Sequence, residues 1–149
     1  MLVSTKGRYA LRVMTALAQQ EPSYFVPLNT VAADQGISEK YLESIISILS
    51  KAGLVEGARG KGGGYRLKRR PEEYTVGEIL RLTEGSLVPV ACLDREKGGK
   101  CQRSDRCRTL PMWEALDTII GDYLNSVTIA DLLKNETHGK CREQVLFST

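Results

Sequence analysis

The chain has little of several features that mark well-known classes of protein. No apolar run approaches the roughly 20 residues that are needed to cross a bilayer, which excludes a transmembrane helix. The first residues, MLVSTKGRYALRV, carry Lys6, Arg8 and Arg12 and contain no uninterrupted apolar stretch, so they do not read as a signal peptide. We therefore expect a cytoplasmic protein that has no membrane partner.

Residues that carry enzyme chemistry are also scarce. The single histidine, His138, lies in a polar tail, and neither a nucleophile–base pair nor a nucleotide-binding fingerprint stands out. We therefore predict a protein that is not an enzyme and has no small-molecule substrate. A net charge of only +3 also argues against non-specific packaging of nucleic acid. Hydrophobic residues make up 42% of the 149 residues, as in an ordinary folded chain.

The first half of the chain has the pattern of a winged helix-turn-helix. Ser4 or Thr5 can cap a first helix, Gly36 ends a second, and Ser38 can cap a third. The glycine-rich turn RGKGGG then separates two short apolar stretches, which indicates a β-hairpin. This order predicts a mainly α fold with a small β-hairpin wing. The predicted helices cover about 5–20, 28–35 and 38–52, and the predicted strands cover 54–56 and 65–67.

The second half of the chain predicts three more helices. Thr75 with Glu78 forms a capping-box pattern, and Thr128 with Asp131 can start a short final helix. Between these two, a long helix that begins at Met112 has one apolar face: Trp113, Leu116, Ile119, Ile120, Tyr123, Leu124 and Val127. The predicted units are a DNA-binding domain (1–75), a connecting helix and linker (76–91), a cysteine loop (92–111), a long and a short helix (112–134) and a mobile tail (135–149).

The third helix has two faces. Leu42, Ile45 and Leu49 lie on an apolar side, whereas Lys40 and Glu43 belong to a polar side. A recognition helix enters the major groove with the exposed residues of its N-terminal half against the bases. The polar side predicts such a helix, although an ordinary solvent-facing side would have the same pattern.

The hairpin carries a local basic run. Six basic residues and no acidic residue occur between Arg59 and Arg70. Three successive glycines let the backbone approach a phosphate-lined surface, and Arg59 and Lys61 are placed to enter a minor groove or to neutralise phosphates. A solvated loop is the alternative, whereas a P-loop is disfavoured because a strand follows the glycines. The predicted DNA-contacting residues are Thr5, Lys6, Arg8, Tyr9, Ser38, Lys40, Tyr41, Glu43, Ser44, Arg59, Lys61, Gly62, Gly63 and Tyr65.

Three of the four cysteines are close together in the sequence. Cys92, Cys101 and Cys107 lie in a loop that lacks helical periodicity. Thiolates are soft ligands that select iron–sulfur clusters, zinc or copper(I), and three of them leave one position of a four-ligand site for another group. The spacing predicts a metal or cluster site; a thiol-redox site and incidental cysteines are the alternatives. The basic neighbours should lower the pKa values of the thiols: Lys97, Lys100, Arg103, Arg106 and Arg108.

Several motifs together resemble one known family over about residues 1–134. STKGRYAL, GIS-x-x-YLE, GLV-x-x-x-RG-x-GGGY, TVGEI, the three cysteines, and W-x-x-L with YLN-x-x-T closely resemble the Rrf2 family of bacterial transcription regulators. The resemblance implies a homodimeric winged-helix repressor or activator that binds a palindromic operator in double-stranded DNA. It also implies a base-reading role for Glu43 and a minor-groove role for Arg59. The implied dimer interface lies on the long helix: Trp113, Leu116, Ile120, Tyr123, Leu124 and Val127.

The resemblance further implies that Cys92, Cys101 and Cys107 bind an iron–sulfur cluster, [2Fe-2S] in preference to [4Fe-4S], which controls operator affinity in response to iron–sulfur, redox or nitrosative status. The cluster-binding pattern has a histidine three residues after the last cysteine, where this chain has Leu110. The fourth ligand is therefore open: an acidic side chain, Cys141, His138, a ligand from the second subunit or a small exogenous molecule. His138 and Cys141 can equally be solvated tail residues.

Two alternative functions keep the DNA-binding half. Some relatives lack the cysteines and respond instead to a partner protein of cysteine metabolism, although the cysteines present here argue against that control. A zinc-stapled DNA-binding module would use the same thiols for a structural metal.

Overall fold

The computed structural model describes residues 2–95 and 101–135. Within these residues, the chain forms six α-helices and one two-stranded antiparallel sheet, which confirms the predicted fold class. Short 3₁₀ turns lie at Pro71–Glu73, Ala91–Leu93 and Ser104–Arg106. The helices are α1 (Thr5–Ala18), α2 (Leu28–Gln35), α3 (Glu39–Lys51), α4 (Val76–Glu84), α5 (Leu110–Ser126) and α6 (Ile129–Lys134), and the strands are β1 (Val55–Ala58) and β2 (Gly64–Leu67).

The predicted caps fix the helix-turn-helix. The Ser38 hydroxyl accepts a hydrogen bond from the Tyr41 N–H at 3.3 Å, which satisfies one of the unpaired donors at the start of α3. Gly36 ends α2 with a φ of 62°, a left-handed conformation that suits glycine. The turn between α2 and α3 therefore follows from two residues that the sequence makes evident.

The core lies between the apolar faces of α1, α2, α3 and the wing. Met14 and Leu42 are fully buried, and each buried side chain of this size contributes about 1.5–3 kcal/mol. The polar side of α3 remains exposed, as its period predicted. Buried members of this core include Ala10, Val13, Met14, Leu17, Val31, Ala32, Leu42, Ile45, Ile46, Leu49, Leu54 and Val55.

The wing is a hairpin in which Val55 pairs with Leu67 and Ala58 pairs with Gly64. Its first strand begins at Val55, one residue later than predicted, and its second begins at Gly64, one residue earlier. The Lys68 N–H donates to the Leu54 carbonyl at 3.2 Å next to the paired residues. The backbones of Val26 and Tyr65 form an antiparallel bridge, with an N···O distance of 2.9 Å in each direction. This bridge attaches the loop between α1 and α2 to β2. The wing is thus attached to the rest of the domain through β2.

The helices of the second half differ from prediction in two details. The Thr75 hydroxyl accepts from the Glu78 N–H at 3.1 Å, but the Glu78 carboxylate binds Arg69 at 2.7 Å, so the predicted capping box is only half formed. The ion pair removes the side chain that the box needs. The other capping box, between Thr128 and Asp131, is complete. Helix α5 starts at Leu110, two residues earlier than predicted, with a proline in its first turn.

The core does not stop at the predicted domain boundary. Ile79 of α4 and Ile129 of α6 are fully buried in the same cluster as α1 and α3. The expected boundary at residue 75 therefore crosses a shared core and does not fall in a gap between domains. No helix within the described part of the chain is long and apolar enough to span a membrane. The tail predicted to be mobile lies outside the described residues from 136 onwards.

Candidate nucleic-acid interface and cysteine segment

The exposed side of α3 presents a mixture of charge and hydroxyl groups. Lys40, Glu43 and Ser44 are exposed at its N-terminal half. The Ser44 hydroxyl donates to the Tyr41 carbonyl at 2.6 Å, and the Ser38 oxygen is used as the helix cap. Two of the predicted base-contacting hydroxyls are therefore already bonded to backbone, which leaves Lys40 and Glu43 as the side chains with the longest reach from this face.

Two tyrosines join the start of α3 to α1. The rings of Tyr9 and Tyr41 meet edge to face with centroids 5.9 Å apart, a geometry that aromatic pairs favour. Arg12 stacks over Tyr9 at 5.0 Å, and its Nε donates to Gln35 Oε1 at 2.9 Å. Tyr9 and Tyr41, which the sequence predicted as DNA contacts, are thus half-buried, and they belong to the side-chain contacts that fix α1 against α2 and α3.

The start of α1 carries the remaining predicted contacts on the helical side. Thr5 and Arg8 are exposed, and Arg8 donates to the Thr5 hydroxyl at 3.2 Å. Lys6 is half-buried. These three residues occupy the first turn of α1, close in sequence to Tyr9, which contacts Tyr41 of α3.

The tip of the wing exposes Arg59 and Lys61. Gly62 has a φ of 78°, and a β-carbon on Gly63 would overlap the Ala58 carbonyl, so the turn depends on glycine at both positions. Tyr65, which the sequence predicted as a DNA contact, is half-buried in the wing. Its ring packs against the core and over Gly57, because the bridge to Val26 turns this residue inwards.

The basic run is partly neutralised within the chain. Arg66 pairs with Glu56 at 2.7 Å, Arg69 pairs with Glu78 at 2.7 Å, and Arg70 lies 3.5 Å from Glu73. The hydrogen bond that Arg69 donates to the Glu78 carboxylate raises the pKa of Arg69. Of the six basic residues between 59 and 70, three are therefore paired with carboxylates. Arg59 and Lys61 at the tip and Lys68 at the end of the hairpin have no such ion pair among the described residues.

The three cysteines lie on the segment between α4 and α5. Cys92 is half-buried in the turn Ala91–Leu93, Cys101 is exposed, and Cys107 is half-buried after the turn Ser104–Arg106; all three are free thiols. Within residues 2–95 and 101–135, no three metal-ligating side chains are grouped so that they could hold an ion. The structure therefore describes the three predicted ligands but does not bring them together. Three reduced thiols on one segment nevertheless suit a soft metal or cluster chemically.

Cys107 has a perturbed pKa, but the cause differs from the predicted one. Its sulfur lies 3.3 Å from the Thr109 hydroxyl, and this hydrogen bond is the main reason that the pKa of Cys107 is lowered, with backbone N–H groups adding to it. Leu110 follows as the first residue of α5, without a ligand atom. Several residues weighed at the sequence level lie outside the described residues: Lys97, Lys100, His138 and Cys141.

Helix α5 has no buried residue within the described chain. Met112, Leu116 and Ile119 expose 53%, 37% and 57% of their surface, and Trp113 and Ile120 are half-exposed. The predicted interface residues at the other end pack within the chain. Tyr123 and Leu124 lie against the cluster of Val76 and Leu80, and Val127 is only 3% exposed in that cluster, so Val127 is not available to a partner.

Some residues that shape the site had no recognisable signal in the sequence. Arg12 and Tyr74 act through partners 20 or more residues away, and Glu84 bonds to the start of α1 across 80 residues. Only three-dimensional packing identifies such partners, because helical periodicity and local motifs carry no information on them.

Comparison with known proteins places these features in one family. The chain matches the Rrf2 family, described as "Iron-dependent Transcriptional regulator", over residues 3–135. It is 39% identical over 136 residues to the HTH-type transcriptional regulator IscR of Pectobacterium atrosepticum, which covers 91% of this chain and 81% of that protein. The IscR of Vibrio campbellii is 38% identical over 135 residues, with 91% and 79% covered.

Two solved structures have the same fold. The structure of CymR, the global cysteine regulator of B. subtilis, has a TM-score of 0.76 at 34% identity and covers 91% of this chain and 98% of that one. T. potens IscR has a TM-score of 0.72 at 41% identity, with 91% and 88% covered. These relatives are regulators and not enzymes, and a winged-helix regulator acts by binding DNA. With its winged helix-turn-helix, its cysteine segment and these similarities, the chain belongs to the Rrf2 family of transcriptional regulators.

Proposed function

We propose that this regulator is a homodimer whose affinity for a palindromic operator is controlled by an iron–sulfur cluster bound through Cys92, Cys101 and Cys107. The observation that carries the proposal is the placement of three reduced thiols on the segment that leads directly into α5, a helix with no buried residue within the described chain. Relatives named IscR and the family description as iron-dependent support the same function. We place the protein in the cytoplasm.

Each subunit would read one half-site. Lys40 and Glu43 on α3 would face base edges in the major groove, while Arg59 and Lys61 at the wing tip would contact the minor groove or phosphates. Thr5 and Arg8 at the start of α1 would contact phosphates. Two winged helix-turn-helix units related by a two-fold axis match half-sites about one helical turn apart, or a multiple of that distance.

The dimer would form through α5. An exposed row of large apolar side chains on a 17-residue helix is costly in water and is covered when two copies of the helix pack together. Met112, Leu116 and Ile119 supply the most exposed part of this row, and Trp113 and Ile120 flank it. Because the cysteine segment directly precedes α5, ligand binding by the thiols would act next to the interface.

The thiolates of Cys92, Cys101 and Cys107 would hold the cluster, which supplies a redox-sensitive and iron-dependent link between the segment and the rest of the chain. We favour [2Fe-2S] over [4Fe-4S]. Leu110 offers no ligand atom, so the fourth ligand comes from another group. Binding would order the segment between α4 and α5, and coupling between two such sites in proteins is typically about 1–3 kcal/mol.

A second function is favoured by one observation. The chain covers 98% of CymR, a global cysteine regulator, at a TM-score of 0.76. A regulator that is controlled by a partner protein of cysteine metabolism and holds no cluster would have the same winged helix-turn-helix and would use the same helix α5 to form a dimer. In a third alternative, the thiols hold a structural zinc ion.

The experiment is anaerobic purification followed by absorption spectroscopy and elemental analysis of wild type, Cys92→Ala and Ser104→Ala. We expect visible absorption and stoichiometric iron in wild type and in Ser104→Ala, and loss of both in Cys92→Ala. Operator affinity should differ between loaded and cluster-free wild type. A colourless protein with stoichiometric zinc would favour the zinc module, and a metal-free protein with unchanged DNA binding would favour control by a partner.

A further inference from the structure

The carboxylate of Glu84 caps a helix from which it is separated by 80 residues. Its Oε1 accepts hydrogen bonds from the Ser4 N–H at 3.2 Å, the Ser4 hydroxyl at 2.7 Å and the Gly7 N–H at 3.1 Å. The first turn of a helix has N–H groups without partners inside the helix, and a negative charge there is favourable. Glu84 therefore stabilises the start of α1 together with the local cap Ser4.

Gly7 makes this contact possible. It is buried, and a β-carbon at this position would overlap the Glu84 carboxylate and lie 3.1 Å from the Leu80 side chain. Any larger residue at position 7 would push the carboxylate away from the backbone of α1. The glycine and the glutamate thus form a matched pair between α1 and α4.

The contact between Gly7 and Glu84 connects two parts of the molecule that are coupled in the proposed function, the start of α1 and the cysteine segment. On one side, Thr5, Lys6 and Arg8 lie in the turn that Glu84 holds. On the other side, Glu84 is the last residue of α4, and the chain continues from it through Gly85 to Cys92. A shift of the cysteine segment at its origin would therefore reach the start of α1 through Glu84, in addition to the apolar packing of α1 on α4.

Helix α4 has a similar contact with α5. Arg81 donates to the Asn125 amide oxygen at 2.9 Å, and Gly77 is buried where a β-carbon would overlap the same oxygen. Close contacts on both sides make α4 a connector between the start of α1 and the apolar helix.

We propose that Glu84 is a positioning residue for DNA binding, whose carboxylate oxygen holds the first turn of α1 in the orientation that brings Thr5, Lys6 and Arg8 to DNA phosphates. This inference rests on the proposed function as a DNA-binding regulator. The acceptor oxygen does the positioning, whereas the negative charge itself opposes nearby phosphates. The two contributions can therefore be separated by substitution.

The test compares Glu84→Gln with Glu84→Met. Both variants remove the charge and keep a side chain of similar length, but only glutamine keeps an oxygen acceptor. The probe is a duplex selected from a random-sequence pool by the wild-type protein, and affinity is measured over a range of salt concentrations. We expect Glu84→Gln to bind at least as tightly as wild type, and Glu84→Met to bind about tenfold more weakly with a salt slope reduced by about one, as for the loss of one phosphate contact.

Two further variants guard against a simple folding defect. Glu78→Ala removes the other carboxylate of α4 and frees the positive charge of Arg69, so it should not weaken DNA binding. Ser4→Ala removes one of the three donors and should fall between wild type and Glu84→Met. Circular dichroism and amide hydrogen exchange at Gly7 establish that each variant is folded and whether the turn has loosened.

The outcomes distinguish failure of the positioning role of Glu84 from failure of the proposed function. Equal affinity and equal salt slope for Glu84→Met and Glu84→Gln would overturn the positioning role, as would tighter binding by Glu84→Met. A wild-type protein that prefers no selected duplex over random DNA would instead overturn the proposed function, and the positioning role with it.

Discussion

The hydroxyl of Tyr74 lies at the base of the wing and is fully used. The residue is completely buried; its hydroxyl donates to the Leu54 carbonyl at 2.7 Å and accepts from the N–H groups of Lys68 and Arg69 at 3.1 and 2.8 Å. Arg69 also stacks over the ring at 4.3 Å. One side chain thus ties the end of α3, the end of the hairpin and the start of α4 together.

We expect Tyr74→Phe to lower the free energy of unfolding by about 1–3 kcal/mol, because backbone groups that are buried beside the ring lose a partner. Urea denaturation monitored by circular dichroism measures this change. Tyr24→Phe is the matched control, since Tyr24 is 52% exposed and its substitution should alter stability by less than about 0.5 kcal/mol. Equal effects of the two substitutions would contradict the role assigned to Tyr74.

At the level of elements, α5 differs from the other long helices because none of its residues is buried within the described chain. Its exposed row is centred on Leu116, and Thr118 lies on the opposite side of the helix, two residues or about 200° away. The two sides therefore offer a direct comparison of an apolar and a polar surface on one element.

Ile119→Lys should weaken self-association about 100-fold, because dimerisation would then bury an unpaired ammonium group. Sedimentation velocity over a range of protein concentrations measures the dissociation constant. Thr118→Lys introduces the same charge on the polar side and should leave the dimer unchanged. A wild-type chain that is monomeric at high concentration would contradict the interface, as would dissociation caused equally by both variants.

The helices of the first half could be predicted from the sequence because each has its own cap and one apolar stripe, as in α3 with Ser38 and Leu42. The prediction was wrong where a residue of a local motif contacts a residue outside that motif. Glu78 has the correct spacing for a capping box with Thr75, yet Arg69 binds its carboxylate. Val127 continues the apolar stripe of α5, but the chain turns there and buries it against α4. Neither outcome can be derived from spacing alone.

Over the whole molecule, a net charge of +3 conceals an uneven distribution. Arg66, Arg69 and Arg70 have carboxylate partners, whereas Arg59 and Lys61 at the tip of the wing are exposed. The sequence predicted a local basic patch; within the described residues, the ion pairs leave Arg59 and Lys61 at the tip and Lys68 at the end of the hairpin without a carboxylate partner. The candidate site was thus predictable in its residue types, but its effective charge depends on pairing across the hairpin and α4.

Arg59→Ala should weaken operator binding by about 1–3 kcal/mol and leave the oligomeric state unchanged, because the residue lies at the wing tip and α5 contacts α4. Gel-shift titration at physiological salt measures the first effect and sedimentation the second. Arg70→Ala removes the same charge from the same basic run and should have a smaller effect, since Glu73 lies 3.5 Å from Arg70. Equal losses for both variants would indicate a purely non-specific contribution.

The burial of Ile129 has a consequence for how the protein is made. This residue, near the end of the described chain, is fully enclosed in the cluster that also contains Ala10, Val13 and Met14 from α1. Because chains emerge from the ribosome N-terminal end first, about 130 residues must be translated before this core can close. The winged-helix part therefore completes its folding only after the cysteine segment and α5 have emerged, so newly made protein gains DNA-binding competence at almost the same time as the segment and the helix that we propose for cluster binding and dimerisation.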